Sequence, residues 1–421
     1  MNRLLFFLSC FFVSYAYPQN IELTGLITDS NTGEPVPFAN VILKEAFIGT
    51  VTNEVGCFRL IIPARYSNGS IEISSIGYSS ALIKIDDVNI NKTKVELNPR
   101  KYDIGAVVVL PNGLTPTTIF QKAVRNFNKH IAESSYMQDF FYRELTLTRD
   151  TFSFLMEAAA TVCFPRFSDT ESKIRIRVNQ IRRSSFFGNS ESNWFFKLVS
   201  KKLWGKVDNG IYYFWDRYSK MINRMQLYTK VDLKNADIQL NGLTYIDSVK
   251  VFELQVKYNY EGLGRYYIRS DNFQIVKIVL YSAFPESVAS SSKGLIEGKY
   301  AGKFDINFVQ HGRRLFFSHS IFHSIPHSPS IKTISGDYFQ MQEIQVVATR
   351  TLSSGYKNIG KKESVGIKAN LYELEYMYDS TFWYNYNGII LNPLLVQQKN
   401  DLERGMTLEQ QYYLNEKPLK Q

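Results

Sequence analysis

From Ile21 to about Pro99 apolar and polar positions alternate in short runs divided by turn clusters such as Asp29-Ser30-Asn31-Thr32-Gly33 and Asn53-Glu54-Val55-Gly56. Turn signals at roughly eight- to twelve-residue spacing mark a small all-β sandwich. The predicted strands are Leu23–Thr28, Ala39–Lys44, Phe58–Ile62, Ile71–Ser75, Ala81–Ile85 and Lys94–Leu97. One further extended run, Ala106–Leu110, leads to the break Pro111-Asn112-Gly113. The period then changes. Ile119, Ala123, Phe127 and Ile131 recur every four residues beside Phe120 and Val124, after Thr115-Pro116, which reads as a helix cap and first position. One amphipathic helix is predicted, ending near Ala132.

Beyond it the alternation of strands returns, in Asp139–Thr148, Phe152–Phe164, Lys173–Arg182, Arg314–Ile325 and other aromatic-rich runs as far as Tyr378. Tyr266–Arg269 and Gln274–Leu280 flank the turn Ser270-Asp271-Asn272 as a hairpin. Asn193–Trp204 reads as a basic amphipathic helix. The expected fold class is mainly β: an N-terminal sandwich, then a larger antiparallel β-sheet domain with a leading amphipathic helix.

Four spaced motifs carry a resemblance: Gly25-x-Ile27-x-Asp29, Gly33-Glu34-Pro35-Val36-Pro37-x-Ala39-Asn40-Val41, Gly49-Thr50-x-Thr52-Asn53-Glu54-x-Gly56-x-Phe58 and Ile73-Ser74-x-Ile76-Gly77-Tyr78. Together they resemble the carboxypeptidase-like regulatory domain, a transthyretin-like β-sandwich found at the front of Bacteroidota envelope proteins. The resemblance implies a non-catalytic folding, spacer or docking unit and brings no catalytic residue. Asp139-Phe140-Phe141-Tyr142-Arg143-Glu144, Phe382-Trp383-x-x-Tyr386-Asn387 and Leu408-Glu409-Gln410-Gln411 resemble an uncharacterised region that often follows this domain and implies no known activity. The expected organisation is a signal peptide over 1–16, the regulatory-like sandwich over 17–100, a linker strand over 101–113 and the helix plus antiparallel β domain over 114–421.

The signal is read from Arg3, the apolar stretch Leu4–Val13 and the small-x-small site Ser14-Tyr15-Ala16, so that the mature chain starts at Tyr17. Leu8-Ser9-Cys10 is an incomplete lipidation box, with Phe7 where a Leu is wanted. Without Cys10 two cysteines remain, Cys57 and Cys163, in different domains, which excludes a disulfide-stapled scaffold. At 421 residues and 44% hydrophobic composition the chain can bury a large core, and no apolar run after the signal is long enough for a membrane-spanning helix. The expected location is the periplasm or the outer membrane.

A net charge of +10 on an exported chain points to lipid headgroups or anionic glycan and not to nucleic acid. Between Lys173 and Lys206 lie nine basic residues (Lys173, Arg175, Arg177, Arg182, Arg183, Lys197, Lys201, Lys202 and Lys206) against one acid, Glu191. In Lys173-Ile174-Arg175-Ile176-Arg177 the cations alternate with isoleucine, which on a strand puts all three on one face. The expected binding face comprises Lys173, Arg175, Arg177, Arg182, Arg183, Lys201 and Lys202.

Catalytic patterns are fragmentary. His130-Ile131-Ala132-Glu133 has a zinc-ligand spacing, but it ends a helix whose apolar stripe already accounts for Ile131, and no third ligand stands at a telling distance. Of His311, His319, His323 and His327, the middle pair shares a strand face at roughly 13 Å, too far for one ion. Ser290-x-x-Lys293, Ser270-Asp271-Asn272 and Lys332-Thr333 imitate penicillin-recognising enzymes in scrambled order, and Gly298-x-x-x-Gly302-Lys303 is one residue short of a phosphate loop. The chain is therefore expected to be no enzyme, with no cofactor and no metal. It reads as a cell-envelope binding or assembly module engaging an anionic glycan, lipid or outer-membrane protein. The alternatives are a periplasmic carrier of an apolar ligand in a curved sheet, suggested by 27 Tyr, 30 Phe and 4 Trp, and an envelope hydrolase.

Overall fold

The computed structural model describes residues 20–87, 93–100, 110, 113–130, 135–148, 151–164, 174–185, 236–258, 262–283, 300–312, 314–324, 340–366, 371, 374–391 and 396–416. The chain begins with seven strands: β1 (Ile21–Asp29), β2 (Asn40–Leu43), β3 (Ile48–Val51), β4 (Cys57–Ile62), β5 (Ser70–Ser74), β6 (Ala81–Lys84) and β7 (Thr93–Leu97). One layer is β4-β1-β7, with β1 and β7 parallel; the other is β3-β2-β5-β6. Alternate side chains of both layers, among them Leu23, Ile27, Val41, Leu43, Phe58, Leu60, Ile71, Ile73 and Val95, interdigitate in one buried cluster. Two turns of the predicted motifs need glycine. Gly33 and Gly56 both have φ of +72°, and a Cβ on Gly56 would lie 2.4 Å from the Ile27 carbonyl oxygen.

The predicted helix is present as α1 (Pro116–His130), and the Thr118 amide donates to the Thr115 hydroxyl across its first turn. Ten strands follow: β8 (Tyr136–Thr148), β9 (Thr151–Phe164), β10 (Arg175–Arg183), β11 (Asp237–Ile246), β12 (Val249–Tyr258), β13 (Gly262–Arg269), β14 (Ile275–Ala283), β15 (Tyr300–His311), β16 (Arg314–Ser324) and β17 (Gln340–Leu352). Their antiparallel order is β11-β12-β13-β14-β15-β16-β17-β8-β9-β10. The sheet curls around α1, whose Ile119, Phe120, Ala123, Val124 and Phe127 are at most 1% exposed. Phe120 meets Tyr266 edge-on at 4.8 Å and Phe127 meets Phe308 at 5.9 Å. Among the described residues, aromatic side chains such as Phe140, Tyr142, Phe304 and Phe317 join this same core.

The two units share a sheet. β17 pairs with β16 along Gln342–Val347, and where the two strands part company β3 takes the vacated side at Arg350 and Ile48. The Thr351 amide also donates to the Phe47 carbonyl. At the far end of the curl, the β11–β12 turn reaches the sandwich: the Gly77 amide donates to the Tyr245 carbonyl, and the Ser80 amide to the Asp247 carboxylate at 2.7 Å. Strand β3 was not among the predicted strands. It is four residues long and contains a glycine, so it carries almost no periodic signal.

A second layer covers the convex face of β17, β8, β9 and β10. It consists of α2 (Ser380–Tyr384), α3 (Val396–Glu403), α4 (Leu408–Leu414) and their connections. Trp383 and Ile389 pack on Phe141, Ala159 and Val347, while Leu402 and Tyr412 pack on Leu145 and Leu155. Asn387 closes on strand β4 with both amide atoms, accepting from the Ile61 amide at 2.7 Å and donating to its carbonyl at 3.1 Å. The predicted run at 106–109, the signal over 1–16 and the helix over 193–204 lie outside the described residues. Among those residues no helix is long and apolar enough to cross a membrane.

Because α1 fills the curl, Phe127→Ala is expected to lower unfolding stability by about 3–5 kcal/mol. Leu82→Ala, at a side chain 61% exposed on an outer strand, should change it by less than about 0.5 kcal/mol. Urea denaturation of the two variants checks both values.

Candidate functional site

Three places in this fold could carry function: the concave face, the outer face beneath the C-terminal layer, and the rim at β10. The concave face is occupied. Ile119, Phe120, Val124 and Phe127 press into a wall that includes Phe140, Tyr142, Met156, Tyr266, Ile306 and Phe317. One small crevice, of about 20 Å³, lies instead at the seam between the units, against Asn40, Thr50, Ser318 and Thr351.

The outer face holds a buried polar row. Gln345 on β17, Arg143 on β8, Glu157 on β9 and Arg182 on β10 are direct neighbours in consecutive registers. Glu157 is fully buried and pairs with both arginines, 2.6 Å from Arg143 Nη2 and 2.5 Å from Arg182 Nη2. Arg143 also donates to the Ile389 carbonyl and to Gln345, which in turn donates to Glu54 of the sandwich at 3.1 Å. The Arg182 guanidinium lies 4.2 Å from the Trp383 ring centre and 5.1 Å from that of Tyr412. Burial would raise the Glu157 carboxyl, but the charges of Arg182 and Arg143 outweigh it and hold it below the usual carboxylate range. The sequence reading passed over this row; the one charge in the apolar strand Phe152–Phe164 is the signal that could have found it, since a buried carboxylate requires partners.

His319 faces outward from β16 with Ile321 and His323, as its strand position predicts. It is 4% exposed, beneath Phe38 and against the Ser318 hydroxyl at 3.0 Å. Burial pushes its imidazole down to about 4, with Asp305 opposing and Lys277 reinforcing the shift. His323 pairs with Glu343 at 3.1 Å, and His311 stacks on Phe47 at 4.6 Å, so these three histidines serve separate contacts. Among the described residues no group of three or more His, Cys, Asp or Glu side chains could hold a metal ion. Ser270-Asp271-Asn272 is a structural turn in which Asp271 pairs with Arg269. Ser290, Lys293, Lys332, Thr333, Gly298, His327 and Glu133 lie outside the described residues, and Cys57 and Cys163 are free thiols.

The structure divides the predicted basic face. Ile176 and Val178 point into the core, which leaves Arg177 exposed and Arg175 half-buried on the outer side of β10. A bulge between Val178 and Gln180 then adds a residue to the strand. Beyond it Arg182 is taken up by Glu157, and Arg183, 2% exposed, donates to the Asn415 carbonyl at 3.0 Å. Arg182, with its side chain 22% exposed, and the buried Arg183 are thus each bonded within their own chain and do not stand beside Arg175 and Arg177 on one open face. Lys173, Lys201 and Lys202 lie outside the described residues. The sequence reading missed Lys357, Lys361 and Lys362, which are exposed in a loop that docks on the β10 edge.

With this geometry established, comparison places the front of the chain. Residues 23–109 match the family model of the CarboxypepD_reg-like domain. This agrees with the resemblance read from the N-terminal motifs and covers the regulatory-like sandwich. No curated protein matches the chain. Among solved structures, a LolA superfamily protein from Nitrosomonas europaea is 13% identical, covering 60% of this chain and 99% of its own, with a TM-score of 0.22. A DUF1329 family protein from Desulfovibrio piger is 10% identical, covering 58% of this chain and 96% of its own, with a TM-score of 0.25. Similarity this low transfers neither ligand nor activity.

Two outcomes follow from the buried groups. Glu157→Gln leaves two arginines without their counter-charge and is expected to cost about 3–5 kcal/mol in chemical denaturation. Glu96→Gln, in the exposed pair with Lys94, should cost under about 1 kcal/mol. For His319, the unfolded chain binds a proton as pH falls below 6.5 while the folded chain resists until about 4. Across that interval stability should fall by about 3 kcal/mol from this residue. Urea midpoints at pH 7 and pH 4.5 should therefore differ less in His319→Asn than in the wild type.

Proposed function

We propose that this chain is a non-catalytic cell-envelope protein, exported to the periplasm or held at the outer membrane, that binds or assembles with an anionic glycan, lipid or outer-membrane protein through its outer surface. The observation that carries this reading is the coverage of the large sheet by its own chain: α1 occupies the concave face and the C-terminal layer the convex face of β17 to β10. Among the described residues, the rim and the outer surface are left for a partner. The sandwich supports the same reading, because it is joined to the large sheet at β17 and again at the β11–β12 turn and so acts as part of one frame.

The carrier alternative needs the concave face to open. Removing α1 would return Ile119, Phe120, Val124 and Phe127 to water at roughly 1.5–3 kcal/mol each, roughly 6–12 kcal/mol together. That is the size of a whole domain's stability, about 5–15 kcal/mol. An apolar ligand would have to replace those contacts.

Native mass spectrometry of the full chain purified from its own envelope tests the proposal. The expected spectrum shows the bare mass or an anionic adduct that dissociates at high salt. A stoichiometric apolar lipid that survives salt would establish the carrier instead, and a stoichiometric metal would restore the enzyme class.

A further inference from the structure

Building on the reading of an outer-surface binder, we infer that the rim formed by β10 and the loop 356–365 is a docking surface for anionic phospholipid headgroups, with Arg175, Arg177, Lys357, Lys361 and Lys362 as its cations. Two distant stretches of sequence meet there. The Val365 amide donates to the Ile176 carbonyl at 2.8 Å, the Ile176 amide to the Ser364 hydroxyl at 3.2 Å and Arg175 Nη1 to the Ile359 carbonyl at 3.3 Å. These bonds fix the lysine loop against the strand that carries the arginines.

The charges of the rim are left open while the acids beside them are engaged. Asp139 is taken by Arg350 at 2.6 Å and by the Thr161 hydroxyl at 2.7 Å, and the Glu363 carboxylate turns back to the Gly360 amide at 2.8 Å. Arg177 donates its Nε to Asn179, which donates in turn to Thr161, so the guanidinium is held while its terminal nitrogens have no partner among the described residues. None of the five cations has an ion-pair partner among the described residues, in contrast with Arg59 and Glu22, Lys277 and Asp305, or Lys44 and Glu72.

The chemistry of the patch selects its partner. Phosphate groups suit guanidinium forks and lysine point charges alike. Among the described residues the rim has no exposed aromatic platform for a sugar ring: Tyr356 is half-buried with its hydroxyl on Ser135, and Ile359 is 2% exposed. Of the exposed large hydrophobic side chains of the described residues, Leu82, Tyr384 and Met406 belong to other elements, while Met377 and Leu414 adjoin Tyr376 and Asn415, which bond to β10 at Val178 and Arg183. A rim with five cations and one exposed acid, Glu363, carries net positive charge that suits an anionic surface, and such contacts are strongly screened by salt.

The test is co-sedimentation of the full chain with vesicles of phosphatidylcholine alone and with added phosphatidylglycerol. Binding is expected only to the anionic vesicles and should be lost near about 0.5 M salt. At about fivefold per cation, the triple charge reversal of Arg177, Lys361 and Lys362 to Glu should weaken it by at least about a hundredfold, and Lys361→Gln with Lys362→Gln by about twenty-fivefold. The glutamine pair guards against a folding defect, and Lys399→Glu, at an exposed lysine of α3 that pairs with Glu403 and is not among the five cations, should bind as wild type. Unchanged binding by the triple variant overturns the proposal. So does retention by dextran sulfate with indifference to vesicles, which would make the partner a soluble polyanion. Failure of both arms removes this surface and leaves the native mass spectrum to decide the broader reading independently.

Discussion

A fully buried glutamate between two arginines constrains the rest of this structure. Arg143, Glu157 and Arg182 stand on three successive strands in direct register. A slip of one residue would carry Glu157 to the apolar concave side and leave both guanidinium groups without a counter-charge. The same row fixes what covers it, because Arg143 holds the Ile389 carbonyl and Arg182 lies under Trp383 and Tyr412. Through Gln345 it also reaches Glu54 in the sandwich. Removing one member of such a row is costly, although a well-packed apolar replacement of the whole need not be. The row thus bears on which arrangement forms more than on how stable the chain is.

Given that row, the architecture has three walls. The curled sheet encloses α1, the C-terminal layer covers the outer face of β17, β8, β9 and β10, and the sandwich closes the gap where β16 leaves β17. The short strand β3 makes the last of these joins, pairing with β2 on one side and β17 on the other. Asn387 reinforces it from the third wall by imitating a strand neighbour for Ile61, while the Thr50 hydroxyl donates to the Gly388 carbonyl at 3.0 Å. The N-terminal sandwich is in this way made part of one frame.

Much of this was legible in sequence wherever side-chain period and burial coincide. The helix from Pro116, the long strands and the 262–283 hairpin all carry strong local signals, and the sandwich motifs add glycines at turns that need them. The seam was not legible. Ile48-Gly49-Thr50-Val51 is too short to show a period, and its partner β17 lies some three hundred residues away, a pairing that no local pattern encodes. The polar row was passed over: Glu157 alone in an apolar strand signals a need for partners, but Arg143 and Arg182 can be matched to it only once the registers are known. The motif Phe382-Trp383-x-x-Tyr386-Asn387 was visible as a resemblance, and its physical content is cover: Trp383 over Arg182, the Tyr386 hydroxyl donating to the Phe140 carbonyl, Asn387 on Ile61.

Strand β10 shows why a count of cations misreads a basic segment. In the sequence Arg175, Arg177, Arg182 and Arg183 form one cluster, but the bulge at Asn179 separates two populations. Before it, alternation with Ile176 and Val178 keeps Arg175 and Arg177 on the outer side, beyond the reach of any described carboxylate. After it, Arg182 stays on that side but falls beneath the C-terminal layer, and Arg183 is buried with its Nε on the Asn415 carbonyl. Charge that is enclosed and neutralised does little at a distance, whereas charge at an open rim projects a field into solvent. The bulge thus converts a run of like residues into an internal clamp and an external charge, and the docked loop at 356–365 adds lysines to the external part alone.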